Sequence, residues 1–70
     1  MSLEHIELTP RQADIAPLLV QGCSNSEIAA ALRISEWTVK HHLHALFLRF
    51  GISRGQNKRV RLATALFKAT

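Results

Sequence analysis

The chain has 70 residues, 47% of them hydrophobic, and a single cysteine, which together exclude a disordered tail, a second domain and an internal disulfide. No apolar run approaches the ~20 residues of a membrane-spanning helix, and the N-terminus is acidic and polar, unlike a signal peptide, so we expect a soluble, cytoplasmic domain. The formal net charge of +4 permits a polyanionic partner.

Apolar residues recur three and four positions apart, and β-branched residues do not alternate with polar ones over the length of a strand. The pattern predicts an all-α fold of four helices, at residues 10–21, 25–32, 36–50 and 58–69. We expect a single domain over residues 8–70. Residues 1–7 are interpreted as an N-terminal extension or a cloning remnant, and an upstream receiver or ligand-binding domain is left open.

The first helix has a complete start signal. Thr9 supplies a capping hydroxyl, Pro10 occupies the first helical position, and Gln12 completes a capping box. Gly22 is expected to end the helix. Pro17 removes a backbone donor inside it, so we expect a kink or a distorted turn there. The predicted buried stripe consists of Ile15, Leu18 and Leu19.

The second helix begins with another capping box, formed by Ser24 and Glu27. Its inward-facing residues are predicted to be Ile28 and Leu32, four positions apart. After two connecting residues, Ser35 is expected to cap the third helix.

The third helix has two faces of different chemistry. Its apolar positions are spaced by four, three and four, which predicts one narrow buried seam. The seam consists of Val39, Leu43, Leu46 and Phe50. The opposite face, which we expect to be exposed, carries Trp37, Lys40, His41, His44 and Leu48.

The fourth helix follows a loop at residues 51–57, and Asn57 is expected to cap it. Two apolar stripes run along this helix, one with Val60, Ala63 and Phe67 and the other with Leu62, Leu66 and Ala69. A small monomer needs only one such stripe, so a partner subunit is the simplest use of the second. We assign the dimer contact to Leu62, Leu66 and Ala69.

Charge is unevenly distributed along the chain. Residues 1–32 hold one basic and four acidic residues, a net charge of −3, whereas residues 33–70 hold eight basic residues and one acidic residue, a net charge of +7. Such an excess is typical of a protein that binds a polyanion, although a solvated basic face has the same composition. Four of these cations are expected to be a mixture of contacts with the backbone of a nucleic acid and solvated charges: Arg54, Lys58, Arg59 and Arg61.

Two short helices joined by a tight turn, the second of them basic and exposed, predict a helix-turn-helix. An α-helix enters the ~12 Å major groove of DNA when one side anchors it to the domain and the other presents donors to base edges. The third helix meets both conditions. Glu36 in its first turn would repel phosphate but suits the helix dipole.

Three separated motifs carry a family resemblance: Leu8-Thr9-Pro10-Arg11-Gln12, Ser24-Asn25-x-Glu27-Ile28-Ala29 and Thr38-Val39-Lys40-x-His42-Leu43. In order and spacing they resemble the LuxR/GerE-type helix-turn-helix, over residues 8–52. The resemblance implies a four-helix DNA-binding domain, usually the C-terminal output module of a transcriptional regulator such as a response regulator. It also implies a dimer on a two-part operator, with the fourth helix at the dimer contact.

Residue roles follow from motif position within this family. The resemblance implies that Lys40, His41 and His44 contact base edges. It places Thr38 and the start of the second helix at phosphates, and the further expected DNA contacts are Ser24, Asn25, Ser35, Trp37 and Arg49. Three features depart from the family pattern: Pro17, His44 where lysine or arginine is frequent, and an apparent insertion at residues 53–56.

Plainer roles stay open for several of these side chains. Lys40 is alternatively a solvated lysine, Trp37 a cover for the second helix, and Arg49 a complement to the helix dipole. His41 and His44 have metal-ligand spacing but lack further ligands nearby, so we expect neither a metal nor a cofactor. His42 suits packing as well as phosphate contact. Cys23 is expected to be a small buried hydrophobe.

Two other functions are weighed against DNA-binding regulation. One is a protein-interaction helical module, favoured by the apolar fourth helix. The other is a sigma-factor-like promoter-binding domain. An enzyme is not expected, because the sequence has no paired nucleophile and base, no glycine-rich phosphate loop and no room for a sizeable pocket.

Overall fold

A computed structural model of the chain describes residues 7–69, and the predictions for residues 1–6 and Thr70 lie outside them. The described residues form four helices and no strand: α1 (Pro10–Val20), α2 (Asn25–Leu32), α3 (Glu36–Arg49) and α4 (Lys58–Ala69). The all-α, four-helix prediction is confirmed, with boundaries that agree to within one residue. None of the helices described is long and apolar enough to cross a membrane.

The starts of α1, α2 and α3 are fixed by the side chains that the sequence indicated. The Thr9 hydroxyl accepts the backbone N–H of Gln12 at 3.2 Å, and the Gln12 side chain accepts that of Thr9 at 3.0 Å. Ser24 and Glu27 form the same reciprocal pair at α2. At α3 the Ser35 hydroxyl accepts the N–H of Thr38 at 3.0 Å. These bonds satisfy helix N–H groups that otherwise lack partners.

The start of α4 is built differently. Asn57 has a φ of 58°, a left-handed conformation, whereas the other three caps are extended. Its carbonyl accepts the N–H of Arg61 at 2.9 Å. Asn57 therefore occupies the predicted cap position, and its carbonyl accepts the first bond of its helix as the other three caps do, but its backbone conformation differs from theirs. The Arg61 guanidinium donates to the carbonyl of Arg54, which closes the 53–56 loop against the helix.

The turn between α2 and α3 is short and tightly bonded. Arg33 has a left-handed φ of 58° and ends α2, and the N–H of Ile34 donates to the carbonyl of Ala29 at 3.0 Å. This arrangement satisfies a terminal carbonyl of α2 while turning the chain into α3. The two helices consequently pack closely, as a helix-turn-helix requires.

All four helices contribute to one core. The residues less than 2% exposed are Ile15, Ile28, Val39, Leu46, Leu62 and Leu66. Burying each such side chain stabilises the fold by about 1.5–3 kcal/mol. Leu18, Leu32 and Phe50, predicted to face inward, are half-buried and pack against this core.

The prediction that Leu62 and Leu66 form a dimer contact is wrong. Both are buried within the single chain, at 0% and 1% exposure, because α4 uses this stripe to pack on the core. Ala69, the third residue of that assignment, is half-buried. The large apolar residues that α4 exposes are Val60 and Phe67, at 62% and 69%.

Helix α1 continues through Pro17 to Val20 and is followed by Gly22, whose φ of 89° suits glycine. The Pro17 side chain is exposed, and its carbonyl accepts the N–H of Gln21 at 3.0 Å. A kink at Pro17 stays a prediction.

Candidate nucleic-acid interface

The two faces of α3 have opposite surroundings. Val39, Leu43 and Leu46 are buried against the other helices, with at most 4% exposure. On the other side, Trp37 and Leu48 are 74% and 63% exposed. The polar residues of this face are also exposed: Lys40, His41 and His44. The structure thus places the predicted base-contacting residues together on one accessible surface.

Trp37 and His41 form a stacked pair on this surface. Their ring centroids are 5.9 Å apart and the rings are within 9° of parallel. His41 also meets the half-buried His42 edge to face, at 5.7 Å. Since Trp37 is mostly exposed, the alternative that it covers α2 is not favoured. Stacking restricts both side chains and presents them as one flat aromatic platform.

Hydroxyl groups cluster at the start of α3. The Ser35 and Thr38 hydroxyl oxygens are 2.9 Å apart and share a hydrogen bond. Ser35 is exposed and Thr38 half-buried. A helix N-terminus carries partial positive charge, so this end of α3 favours an anion such as phosphate.

The start of α2 is held from an unexpected direction. Arg59 of α4 donates from Nη1 to Oδ1 of Asn25 at 2.7 Å and from Nη2 to the carbonyl of Cys23 at 2.6 Å. The sequence predicted instead that Arg59 contacts the DNA backbone or is a solvated charge. The bonds join residues 34 and 36 positions apart, for which no local sequence signal exists. Cys23 itself is half-buried, where a buried hydrophobe was expected.

Ser24, the predicted phosphate contact beside Asn25, is exposed and caps α2. Hydrogen bonds from Ser24, its backbone N–H first and its hydroxyl second, hold the pKa of Glu27 below the usual value of 4.5. Glu27 therefore stays ionised near α2's positive end, which suits the helix dipole.

Basic residues border α3 on more than one side. Lys58 at the start of α4 has its ammonium 4.7 Å from the centroid of the Phe47 ring, a cation–π contact. Arg49, in the last turn of α3, is exposed. Among residues 7–69 the one ion pair joins Arg11 and Asp14 of α1, at 3.5 Å. The cations around α3 thus have no carboxylate partner within the described chain.

A metal site is not assembled by the described residues: no three His, Cys, Asp or Glu side chains within 7–69 lie close enough to share an ion. A separate apolar groove of about 440 Å³ lies between α1 and α4 and is lined in part by Pro17, Val20 and Phe67. Its lining does not include α3.

The fold and the exposed face of α3 define the class of the protein as a helix-turn-helix domain. Comparison with known families extends this result. Residues 7–62 match the bacterial regulatory proteins of the luxR family, also designated GerE. The chain therefore belongs to the luxR family, and the described helices form its helix-turn-helix DNA-binding domain.

Individual relatives are similar over the same region. The CsgBAC operon transcriptional regulatory protein of Escherichia coli K12 is 47% identical over 51 residues, 73% of this chain and 24% of that protein. The nitrate/nitrite response regulator protein NarP, also from E. coli K12, is 44% identical over 45 residues, 64% of this chain and 21% of NarP.

A third relative, the uncharacterized transcriptional regulatory protein YhcZ of Bacillus subtilis strain 168, is 42% identical over 50 residues, 71% of this chain and 23% of YhcZ. The matched region thus spans less than a quarter of each of these three relatives. No solved structure matches the chain significantly.

Proposed function

We propose that the domain binds DNA sequence-specifically by inserting α3 into the major groove, where Lys40, His41 and His44 contact base edges. The observation that carries this proposal is the division of α3, whose seam is buried while all three of these side chains are exposed. A helix with side chains is ~10–12 Å across and fits the ~12 Å major groove. Lysine and histidine supply hydrogen-bond donors for acceptors such as guanine O6 and N7.

The phosphate contacts are proposed at the two helix starts that flank this face. Ser24 and Asn25 begin α2, and Ser35 and Thr38 begin α3, so both groups lie where helix dipoles favour anions. Trp37, which precedes Thr38 in the chain, is 74% exposed and carries an indole N–H donor. Arg49 at the far end of α3 is about 13 Å along the helix axis from Lys40 and suits a more distant phosphate.

We also infer that two copies bind one operator and that the domain is the output part of a longer transcriptional regulator. The relatives' greater length supports the second inference, and NarP is by name a response regulator. The exposed Val60 and Phe67 on α4 support a protein contact between copies. Symmetric dimers bind half-sites about one helical turn of DNA, ~10 bp, or multiples of it apart.

Selection of bound sequences from random duplexes tests these proposals together. We expect an enriched motif, with two half-sites at a fixed spacing if two copies bind. Titration of the selected duplex should show an affinity that falls steeply with salt, because phosphate contacts release counterions. Failure to enrich any motif, together with salt-independent association, would contradict DNA recognition by this domain.

A protein-interaction module is the second candidate function. The apolar groove between α1 and α4 and the exposed Phe67 favour it. The same titration separates the two functions, because an interaction module would not give saturable retardation of duplex DNA at low salt.

A further inference from the structure

A polar groove lies where α2, α3 and α4 meet. Its volume is about 270 Å³ and it opens to solvent. The polar side chains that line it are Asn25, Lys40, His44, Lys58 and Arg59, and Leu43 and Phe47 complete the lining. Two of these residues belong to the proposed base-contacting set, whereas Lys58 and Arg59 come from α4. The groove is therefore continuous with the exposed face of α3.

Lys58 is placed at this groove by a specific contact. Its ammonium lies over the Phe47 ring, and the residue is half-buried. A cation–π contact holds the charge while leaving its hydrogen-bond donors unused. No carboxylate within residues 7–69 pairs with Lys58, and the contact with Phe47 restrains its ammonium beside α3.

Arg59 adds charge to the same groove without neutralising it. Both acceptors of its guanidinium, the Asn25 amide oxygen and the Cys23 carbonyl, are uncharged. The bonds therefore orient the group and leave its full positive charge in place. They also fix Oδ1 of Asn25 toward Arg59, so the amide NH₂ group of Asn25 is left to donate elsewhere.

The groove lies on the flank of α3, because its lining includes Lys40, Leu43, His44 and Phe47 of that helix. A helix lying in that groove has a sugar-phosphate strand on each flank. Lys40 belongs both to the proposed base-contacting face and to the groove lining. A strand beside α3 would therefore pass the groove, where Lys40, Lys58 and Arg59 provide three cations that attract a phosphate diester.

We propose that this groove is a binding subsite for one backbone phosphate of the DNA strand that flanks α3. Lys58 is the principal contact with that phosphate. Arg59 is a positioning residue, which orients Asn25 in the wall of the groove. The subsite rests on the proposed mode of DNA binding and extends the DNA contact to α4. Recognition there is of the phosphate charge, so it is independent of base sequence.

The test compares Lys58→Gln with Lys68→Gln, a matched control at the exposed far end of α4. Loss of one phosphate contact should weaken binding about three- to tenfold on selected and random duplexes alike. It should also reduce the slope of log affinity against log salt by about 1. Lys68→Gln should change neither quantity. Equal behaviour of the two variants would overturn the subsite.

Neutral methylphosphonate linkages, placed one at a time in the selected duplex, locate the phosphate. One linkage should weaken binding of the unaltered domain but leave binding of Lys58→Gln unchanged, which shows that the two groups interact. If no linkage loses its effect in the variant, Lys58 does not contact a phosphate. Circular dichroism of both variants confirms that the helices persist.

Free inorganic phosphate is the alternative ligand that the same cations of the groove would attract. Inorganic phosphate titrated into the domain should perturb the Lys58 and Phe47 amide signals only weakly. Tight binding of inorganic phosphate, combined with unchanged DNA affinity in Lys58→Gln, would reassign the groove and overturn the DNA subsite. If Lys40→Met weakens binding to the selected duplex more than to random duplex while Lys58→Gln leaves DNA affinity unchanged, the proposed function stands and the subsite alone is rejected.

Discussion

Trp37 and His41 lie one turn apart on α3 with their rings stacked, 5.9 Å between centroids, on the side of the helix that faces solvent. Exposed aromatic rings of this size contribute little to folding but contribute strongly to binding interfaces. The pair therefore supports the proposal that the exposed face of α3 is a contact surface.

Trp37→Ala should weaken DNA binding by about 1–2 kcal/mol while changing the free energy of unfolding by less than about 0.5 kcal/mol, because the side chain is 74% exposed. Trp37 is the single tryptophan of the chain, so quenching of its fluorescence reports binding directly in the unaltered domain. Retardation assays and urea denaturation measure the variant. A large loss of stability would place Trp37 in the fold instead of the interface.

Lys40→Met should weaken binding to the selected operator by about 1–3 kcal/mol, the usual contribution of a good base contact, and weaken binding to random duplex less. Lys68→Met removes another exposed lysine, from α4, and should leave both affinities unchanged. Competition binding at one fixed salt concentration makes the comparison. An equal loss on both duplexes would make Lys40 a phosphate contact.

Leu66→Ala should destabilise the domain by about 2–5 kcal/mol, because it leaves a cavity in the core. A core of this size typically contributes only ~3–5 kcal/mol, so much of the variant should be unfolded. Val60→Ala, at an exposed position of the same helix, should change stability by less than about 0.5 kcal/mol. If Leu66→Ala stays folded but is monomeric where the unaltered chain is a dimer, the dimer assignment that the structure rejects would be restored.

The stability that Glu27 contributes to the domain should be lost in acid. Its pKa is lower in the folded state than in the unfolded chain, so the unfolded chain binds more protons as pH falls. Its contribution is fully present above the unfolded pKa and is lost as pH falls through the lower, folded pKa. Urea denaturation across this acidic range should show a smaller decline for Glu27→Gln, which keeps the capping geometry but does not titrate. Parallel declines would show that the carboxylate does not contribute.

Arg59→Met should destabilise the domain by about 1–3 kcal/mol, because it removes two hydrogen bonds and leaves the half-buried acceptors of Asn25 and Cys23 without a donor. The amide signals of Cys23 and Asn25 should shift most. Arg54→Met, at an exposed loop position, is the control and should behave like the unaltered chain. Stability unaffected by Arg59→Met would show that these bonds are replaced by water.

Local signals in the sequence account for most of the fold. Capping boxes at Thr9 and Ser24 set the starts of α1 and α2, since the partner of each cap lies three residues away. The spacing of Val39, Leu43 and Leu46 correctly divided α3 into a buried and an exposed face. Side-chain periodicity suffices where a helix has only one apolar stripe.

Contacts between distant segments escaped the same reasoning. Helix α4 has two apolar stripes, and periodicity alone does not determine which one packs on α1, so Leu62 and Leu66 were assigned to the wrong surface. The Arg59 bonds to α2 depend on how α4 is oriented after the 51–57 loop. The Trp37–His41 pair, by contrast, has the four-residue spacing at which helix side chains meet, so its contact was open to prediction.

The bonds from Arg59 have a consequence for communication through the domain. Because the Arg59 guanidinium at the start of α4 is hydrogen-bonded to Asn25 and Cys23 at the start of α2, a partner that displaces α4 would also displace Asn25. We expect a displacement at Val60 and Phe67, exposed further along that helix, to be transmitted to the edge of the proposed DNA interface. A protein bound at Val60 and Phe67 would thereby alter the DNA contacts that we propose for Asn25.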